Sequence, residues 1–72
     1  MTVKLFASLR HGRFTEQQRA SVRGTAINSI LEELNIDTTE VGILLVNGCH
    51  VQPDYKLQEG DTLSIFPLIG GG

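Results

Sequence analysis

The sequence predicts an α+β fold, a mixed sheet of four to five strands with one helix packed across one face. Apolar and polar residues alternate near both ends of the chain, which indicates half-buried strands. A single stretch between them repeats its apolar residues at helical spacing. Seventy-two residues predict one small domain, residues 1–72. A domain of this size buries only about 60% of the surface of its unfolded chain.

The first predicted strand covers residues 3–10 (VKLFASLR), in which Phe6 is the apolar exception on the polar side. The residues that point to the other side are Val3, Leu5, Ala7 and Leu9. His11-Gly12 predicts a turn. Residues 14–22 predict a weaker strand, rich in Glu and Gln, which forms the second arm of a hairpin at the sheet edge.

The predicted helix begins at Gly24-Thr25, where the Thr25 side chain can cap the first free amides. Its apolar stripe consists of Ile27, Ile30, Leu31 and Leu34. Glu32 and Glu33 lie off this stripe, on a solvated face. Asn35 is a suitable left-handed terminator, and residues 36–40 form a short connection.

Residues 43–46 (ILLV) are a continuous apolar run and predict a strand covered on both faces. Asn47-Gly48 predicts a tight hairpin turn, because both central positions of that turn need a positive φ. Residues 49–51 form a short strand. We expect Tyr55 and Leu57 to attach the next loop to the core.

Residues 62–66 (TLSIF) form the last predicted strand, and Pro67 ends its ladder because proline has no amide to donate. The element order is the β-grasp arrangement of ubiquitin. There the first and last strands are parallel neighbours at the sheet centre, so Phe6 and Phe66 lie side by side on the open face. The helix covers Val3, Leu5, Leu9, Leu63 and Ile65.

Composition excludes several classes of function. A net charge of −2 argues against nucleic-acid binding. The single cysteine, Cys49, rules out an internal disulfide and fits a reducing compartment. We identify no signal peptide or membrane span and expect a cytoplasmic protein. Neither His11 nor His50 has a second ligand at metal spacing. The early arginines Arg10, Arg13 and Arg19 are interpreted as a solvated strand face.

The chain finishes with residues 66–72 (FPLIGGG), a strand end followed by a flexible tail from about residue 68. Glycine is costly to order, so three in succession suit a thin, extended tail that enters a narrow channel of another protein. The functional group is then the α-carboxylate of Gly72. The alternative is a frayed terminus.

Four segments resemble the MoaD/ThiS family, the ubiquitin-like sulfur carriers of molybdopterin and thiamine biosynthesis. They are residues 3–10 (VKLFASLR), 46–48 (VNG), 57–61 (LQEGD) and 66–72 (FPLIGGG). The first strand looks more like the small subunit of molybdopterin synthase. Two departures concern the pathway: the family often has proline where Leu68 stands and a small residue such as Ser or Ala where Gly70 stands.

The resemblance implies chemistry at Gly71 and the Gly72 carboxylate. An E1-like adenylating enzyme joins the carboxylate to AMP using ATP and Mg. A sulfur donor protein then displaces AMP and leaves a thiocarboxylate. The chain itself binds no cofactor or metal and is not an enzyme. It is a recyclable substrate of its partners, which include a large synthase subunit.

The resemblance also implies a partner-binding surface. Exposed aromatics beside the tail, Phe6 and Phe66, would anchor a partner, or they simply pack on each other. The other implied contacts are Arg10, His50, Pro67, Leu68, Ile69 and Gly70. His50 is otherwise an ordinary surface residue. Cys49 packs as a small hydrophobe or acts as a persulfide relay.

Four functions remain open from the sequence. The first is sulfur transfer to a molybdenum or tungsten pterin cofactor. The second is sulfur transfer in the thiazole branch of thiamine synthesis. The third is a ubiquitin-like modifier that forms isopeptide bonds through Gly72, and the fourth is an interaction module on the same scaffold.

Overall fold

The structure is a computed structural model and describes residues 1–20 and 24–68. Its strands are β1 (Thr2–Leu5), β2 (Glu16–Gln18), β3 (Val41–Val46), β4 (Cys49–His50) and β5 (Thr62–Pro67), and its α-helix is α1 (Ile27–Glu33). Two short 3₁₀ helices cover Ala7–Arg10 and Thr38–Glu40.

The five strands form one mixed sheet in the order β2-β1-β5-β3-β4. β1 and β5 are parallel, with Leu5 opposite Ile65, and the other three pairs are antiparallel. The first and last strands are therefore neighbours in the middle of the sheet. The β-grasp arrangement predicted from the element order is confirmed.

The core lies between one face of the sheet and α1. The helix contributes Ile27, Ile30 and Leu31, all almost completely buried, and the half-buried Leu34 packs beside them. The strands contribute Val3, Leu5, Leu44, Val46, Leu63 and Ile65. Full burial of such side chains stabilises the fold by about 1.5–3 kcal/mol each. Leu57 is buried and Tyr55 packs against the core, which confirms that both attach their loop.

The first strand is shorter than predicted. It ends at Leu5, and Ala7 has a φ of 52°, a left-handed conformation that no strand continues through. Ala7 is exposed, whereas Leu9 still reaches the core from the first 3₁₀ helix. The alternation therefore identified a buried residue correctly and assigned it to the wrong element.

The second strand is also shorter, but it does lie at the sheet edge. The predicted Thr25 cap is wrong. Ala26 precedes the first helical turn, and no side chain among the described residues caps it. The amides of Ile27 and Asn28 instead donate to the carbonyls of Tyr55 and Pro53, at 3.1 and 3.0 Å. Loop backbone thus satisfies the amides that Thr25 was expected to cap.

The arginines do not form a solvated strand face. Arg13 is half-buried and donates to three backbone carbonyls, those of Leu9, Leu34 and Asn35, at 2.9–3.1 Å. Arg19 pairs with Glu33 at 2.6 Å, and the Glu33 side chain is still 54% exposed, on the solvated face predicted for it. These arginines connect the hairpin region to the helix.

Asn35 and Asn47 have φ angles of 57° and 52°, which confirms the helix terminator and the hairpin turn. The strand before that turn is not covered on both faces. Leu44 and Val46 are buried, but Ile43 is 40% exposed. Cys49 is exposed and does not pack as a core hydrophobe.

Candidate functional site

Two aromatic rings dominate the open face of the sheet, the face opposite α1. Phe6 follows β1 directly, and its amide donates to the carbonyl of Ile65 at 3.2 Å, which sets it beside Phe66. The ring centroids are 4.1 Å apart and the planes differ by 9°. Both side chains remain half-buried. The structure therefore places the two phenylalanines together as the sequence predicted, stacked and still accessible.

Two further apolar side chains extend this surface. Ile43 lies opposite Phe66 in the β3–β5 ladder, and Leu68, 61% exposed, follows Phe66 by two residues. We call these four residues, Phe6, Ile43, Phe66 and Leu68, the open-face patch. Apolar groups that a small domain leaves exposed together commonly mark an interaction surface. Sequence reasoning missed Ile43, because the apolar run from 43 to 46 gives no sign of which face is exposed.

Arg10 lies at the border of the patch. Its Nε donates to the carbonyl of Leu5 at 2.9 Å, and its Cζ is 5.7 Å from the Phe6 ring centroid. The backbone bond and a cation–π contact hold the guanidinium beside the aromatic pair. A role for Arg10 in an ion pair with a partner stays a prediction.

His50 lies on the same face but further away. It is exposed on the edge strand β4, opposite Leu45, and β3 separates it from Phe66 on β5. The structure thus brings His50 to the periphery of the open face and not into contact with the aromatic pair. Its part in partner binding also stays a prediction.

Leu68, the last described residue, follows the end of β5 and belongs to the patch. Pro67 is buried, so its side chain is not offered to solvent, and a direct partner contact by Pro67 stays a prediction. The amide of Leu68 donates to the carbonyl of Glu40 at 2.8 Å. Ile69, Gly70, Gly71 and Gly72, the other tail residues implied by the resemblance, lie outside the described residues.

The turn that supplies the Glu40 carbonyl is held by a capping box. Asp37 accepts from the Thr39 amide, and the Glu40 carboxylate accepts from the Asp37 amide, both at 3.0 Å. The amide of Thr39 first, and its hydroxyl second, lower the pKa of the Asp37 carboxyl below its usual value. The backbone against which the tail begins is therefore fixed by its own side chains.

Within residues 1–20 and 24–68, no group of three or more His, Cys, Asp or Glu side chains could hold a metal ion. A surface groove of about 400 Å³ lies between β2 and α1 and includes Arg19 and Glu33. It lies away from the tail, and residues 21–23, beside it in the chain, are outside the described residues. In the part of the chain described, no helix is long and apolar enough to cross a membrane.

Comparison with known proteins decides the family. The ThiS family matches residues 3–72, almost the whole chain. The chain belongs to the ThiS family. Its fold is that of the ubiquitin-like sulfur carriers, which are small carrier proteins and not enzymes themselves. A comparison with curated protein sequences found no match.

Two solved structures resemble this ThiS-family chain. One is a candidate molybdopterin converting factor, subunit 1, from Pyrococcus furiosus, with 25% identity and a TM-score of 0.72 over 94% of this chain and 95% of that chain. The other is SAMP1 from Haloferax volcanii, with 19% identity and a TM-score of 0.71 over 99% of this chain and 97% of that chain. The second likeness concerns the fold alone.

Proposed function

We propose that this protein carries sulfur as a thiocarboxylate on Gly72 and delivers it during molybdopterin or tungstopterin synthesis. The observation that carries the proposal is the family match, which extends through the glycines to residue 72. The open-face patch where the described chain ends supports it, because a partner that processes the tail needs a docking surface nearby.

The chemistry takes place at the terminal carboxylate. A carboxylate oxygen of Gly72 attacks the α-phosphorus of MgATP in an E1-like partner, forming an acyl adenylate and releasing pyrophosphate. A sulfur donor protein then supplies sulfur at the sulfide level, which attacks the acyl carbon, so that a C–S bond forms as the C–O bond to AMP breaks. The resulting thiocarboxylate is a better nucleophile than the carboxylate and attacks a precursor held by a large synthase subunit. ATP and Mg belong to the partner.

The patch supplies the binding energy for these encounters. Ordering a glycine backbone in a channel costs about 1–2 kcal/mol per residue, and the tail has little side chain with which to offset it. Stacked, half-exposed Phe6 and Phe66 are the type of anchor that dominates protein interfaces. The chain thus divides its task between a docking face and a reactive end.

The pathway rests on one comparison. The candidate molybdopterin converting factor subunit is similar over nearly the full length of both chains. Sulfur transfer in thiamine thiazole synthesis uses the same carrier chemistry and remains the first alternative. Isopeptide formation through Gly72 requires the same tail and remains the second.

The intact mass of the protein, isolated gently from its own cells under non-reducing conditions, tests the carrier function. We expect a species heavier by one oxygen-to-sulfur exchange, located in the C-terminal peptide. Conjugates with the tail linked to lysine would favour the modifier function instead. Loss of a pterin cofactor after gene deletion, without a thiamine requirement, would select the pterin pathway.

Deleting Gly72 tests whether the reacting carboxylate must lie at residue 72, because the variant ends in the carboxylate of Gly71, one residue short of that position. The variant should keep its fold, seen as an unchanged circular dichroism spectrum, and should not support ATP–pyrophosphate exchange by the adenylating enzyme. Gly70→Ala is the matched control, because it keeps the length of the tail and its carboxylate. Full exchange activity of the deletion variant would overturn the mechanism.

A further inference from the structure

Gly42 lies where β3 passes close to the end of β5. A β-bulge lies between Val41 and Ile43: Val41 pairs with Pro67, Ile43 pairs with Phe66, and Gly42 is the extra residue between them. A Cβ atom on Gly42 would lie 2.6 Å from the Pro67 carbonyl oxygen and 3.0 Å from the Leu68 Cα. Both are backbone atoms, so no side-chain rotation could relieve the contact. Only glycine lets the start of the tail pass this close.

A backbone hydrogen bond also holds the start of the tail near Gly42. The Leu68 amide donates to the Glu40 carbonyl at 2.8 Å, two residues before Gly42. The Asp37–Glu40 capping box holds that carbonyl in place. Pro67 has no amide to donate, so Leu68 supplies the ladder bond past it. The first residue after β5 is thus held by a close backbone approach and a hydrogen bond together.

We propose, on the basis of the carrier function above, that Gly42 is a positioning residue for the reactive tail. With the bulge in place, the chain leaves β5 in one direction beside the open-face patch. A partner bound to the patch then meets Leu68, the first residue of the tail, at a fixed place. Misplacing a reacting group by about 1 Å can slow a reaction by about a hundredfold, so the exit direction matters more for the reaction step than for docking.

Gly42→Ala tests the proposal in two measurements. The added methyl should displace Pro67 and Leu68 and break the bond to Glu40. In the free protein we expect the Leu68 amide to exchange with solvent about fivefold faster, the factor for one lost hydrogen bond. Leu68→Ala, which keeps the amide, should retain the protection.

The second measurement is ATP–pyrophosphate exchange with the E1-like adenylating enzyme of the same organism. We expect Gly42→Ala to lower kcat by about tenfold or more with little change in KM. Phe66→Ala should do the reverse and raise KM, because it removes a docking contact. Gly60→Ala is the matched control for backbone strain: Gly60 has a φ of 84°, precedes β5 at its far end and has no atom within 4 Å of an added Cβ.

If Gly42→Ala does not fold, Asp37→Ala takes its place. It removes the exposed acceptor that holds the Glu40 turn and should accelerate Leu68 amide exchange and lower kcat by about twofold or more. If the wild type is active and the folded variant used, Gly42→Ala or Asp37→Ala, has a normal kcat, the positioning role is overturned. The carrier function would be unaffected by that result. A loss of kcat in Gly60→Ala equal to that in Gly42→Ala would also overturn the positioning role. Absence of exchange activity in the wild type would overturn the carrier function itself, and the positioning role with it.

Discussion

Replacing Arg13 by alanine removes a connection between two distant parts of the chain. The side chain comes from the turn after the first 3₁₀ helix and reaches the end of α1. Its Nε and Nη2 donate to the carbonyls of Leu34 and Asn35, and its Nη1 donates to that of Leu9. The last turn of α1 contains Glu32 and Glu33 and no basic residue. Arg13 therefore supplies the positive charge that a helix C-terminus favours.

The expected cost follows from the burial of these bonds. Hydrogen bonds to charged groups contribute about 1.5–3 kcal/mol each when well buried. Two of the three hydrogen bonds are only partly buried and one is exposed. We therefore assign about 1.5 kcal/mol to each of the two partly buried bonds and no contribution to the exposed one. Ordering the arginine side chain offsets about 1 kcal/mol. Arg13→Ala should then reduce the free energy of unfolding by about 2 kcal/mol and Tm by about 8–16 °C.

Thermal and urea unfolding of the variants measure this cost. Arg19→Ala is the matched control: its salt bridge to Glu33, whose side chain is 54% exposed, should contribute less than about 1 kcal/mol. The free energy of unfolding of Arg13→Lys should lie between those of wild type and Arg13→Ala, because lysine keeps the charge but cannot reach three carbonyls. The reasoning fails if Arg13→Ala unfolds within about 0.5 kcal/mol of wild type, or if Arg19→Ala costs as much.

Two further variants test the docking face and the turn beneath the tail. Phe66→Ala should weaken binding to the adenylating enzyme by about 2 kcal/mol, measured by calorimetry. It should also lower the free energy of unfolding by about 1 kcal/mol. Ser64→Ala, on the same strand and face, should change neither quantity. Because the folded pKa of Asp37 is depressed, its contribution to stability is present above about pH 4 and is lost as pH falls through the folded value. The stability deficit of Asp37→Asn relative to wild type should therefore be larger at pH 6 than at pH 2, and an equal difference at both would contradict this.

The sequence was most informative where the chemistry is local. The stripe of Ile27, Ile30 and Leu31 follows from helical spacing alone, and all three are buried. Asn47-Gly48 satisfies a turn that needs two positive φ angles, and the structure has 52° and 84° there. The parallel pairing of β1 with β5 followed from the element order, because connection rules leave few topologies.

Errors arose where a distant segment changes a local preference. Thr25 is a good cap in isolation, but backbone carbonyls of the 53–55 loop already accept the first helical amides. Cys49 was expected to pack as a small hydrophobe unless it acts as a persulfide relay, yet it lies exposed on a two-residue edge strand. Pro67 is buried where it pairs with Val41 beside a β-bulge, and the hydrophobic periodicity of the sequence does not predict that bulge.

The sequence by itself determined the fold class, the order of its elements and the pairing of Phe6 with Phe66, because periodicity and turn chemistry are encoded residue by residue. The tertiary structure decided which apolar residues join that pair, what Arg13 binds, and how the tail begins. One extra residue at Gly42 changes which side chains of β3 face outward, so Ile43 lies on the open face and Leu44 in the core. Such register depends on the partner strand, and only the assembled sheet contains that partner.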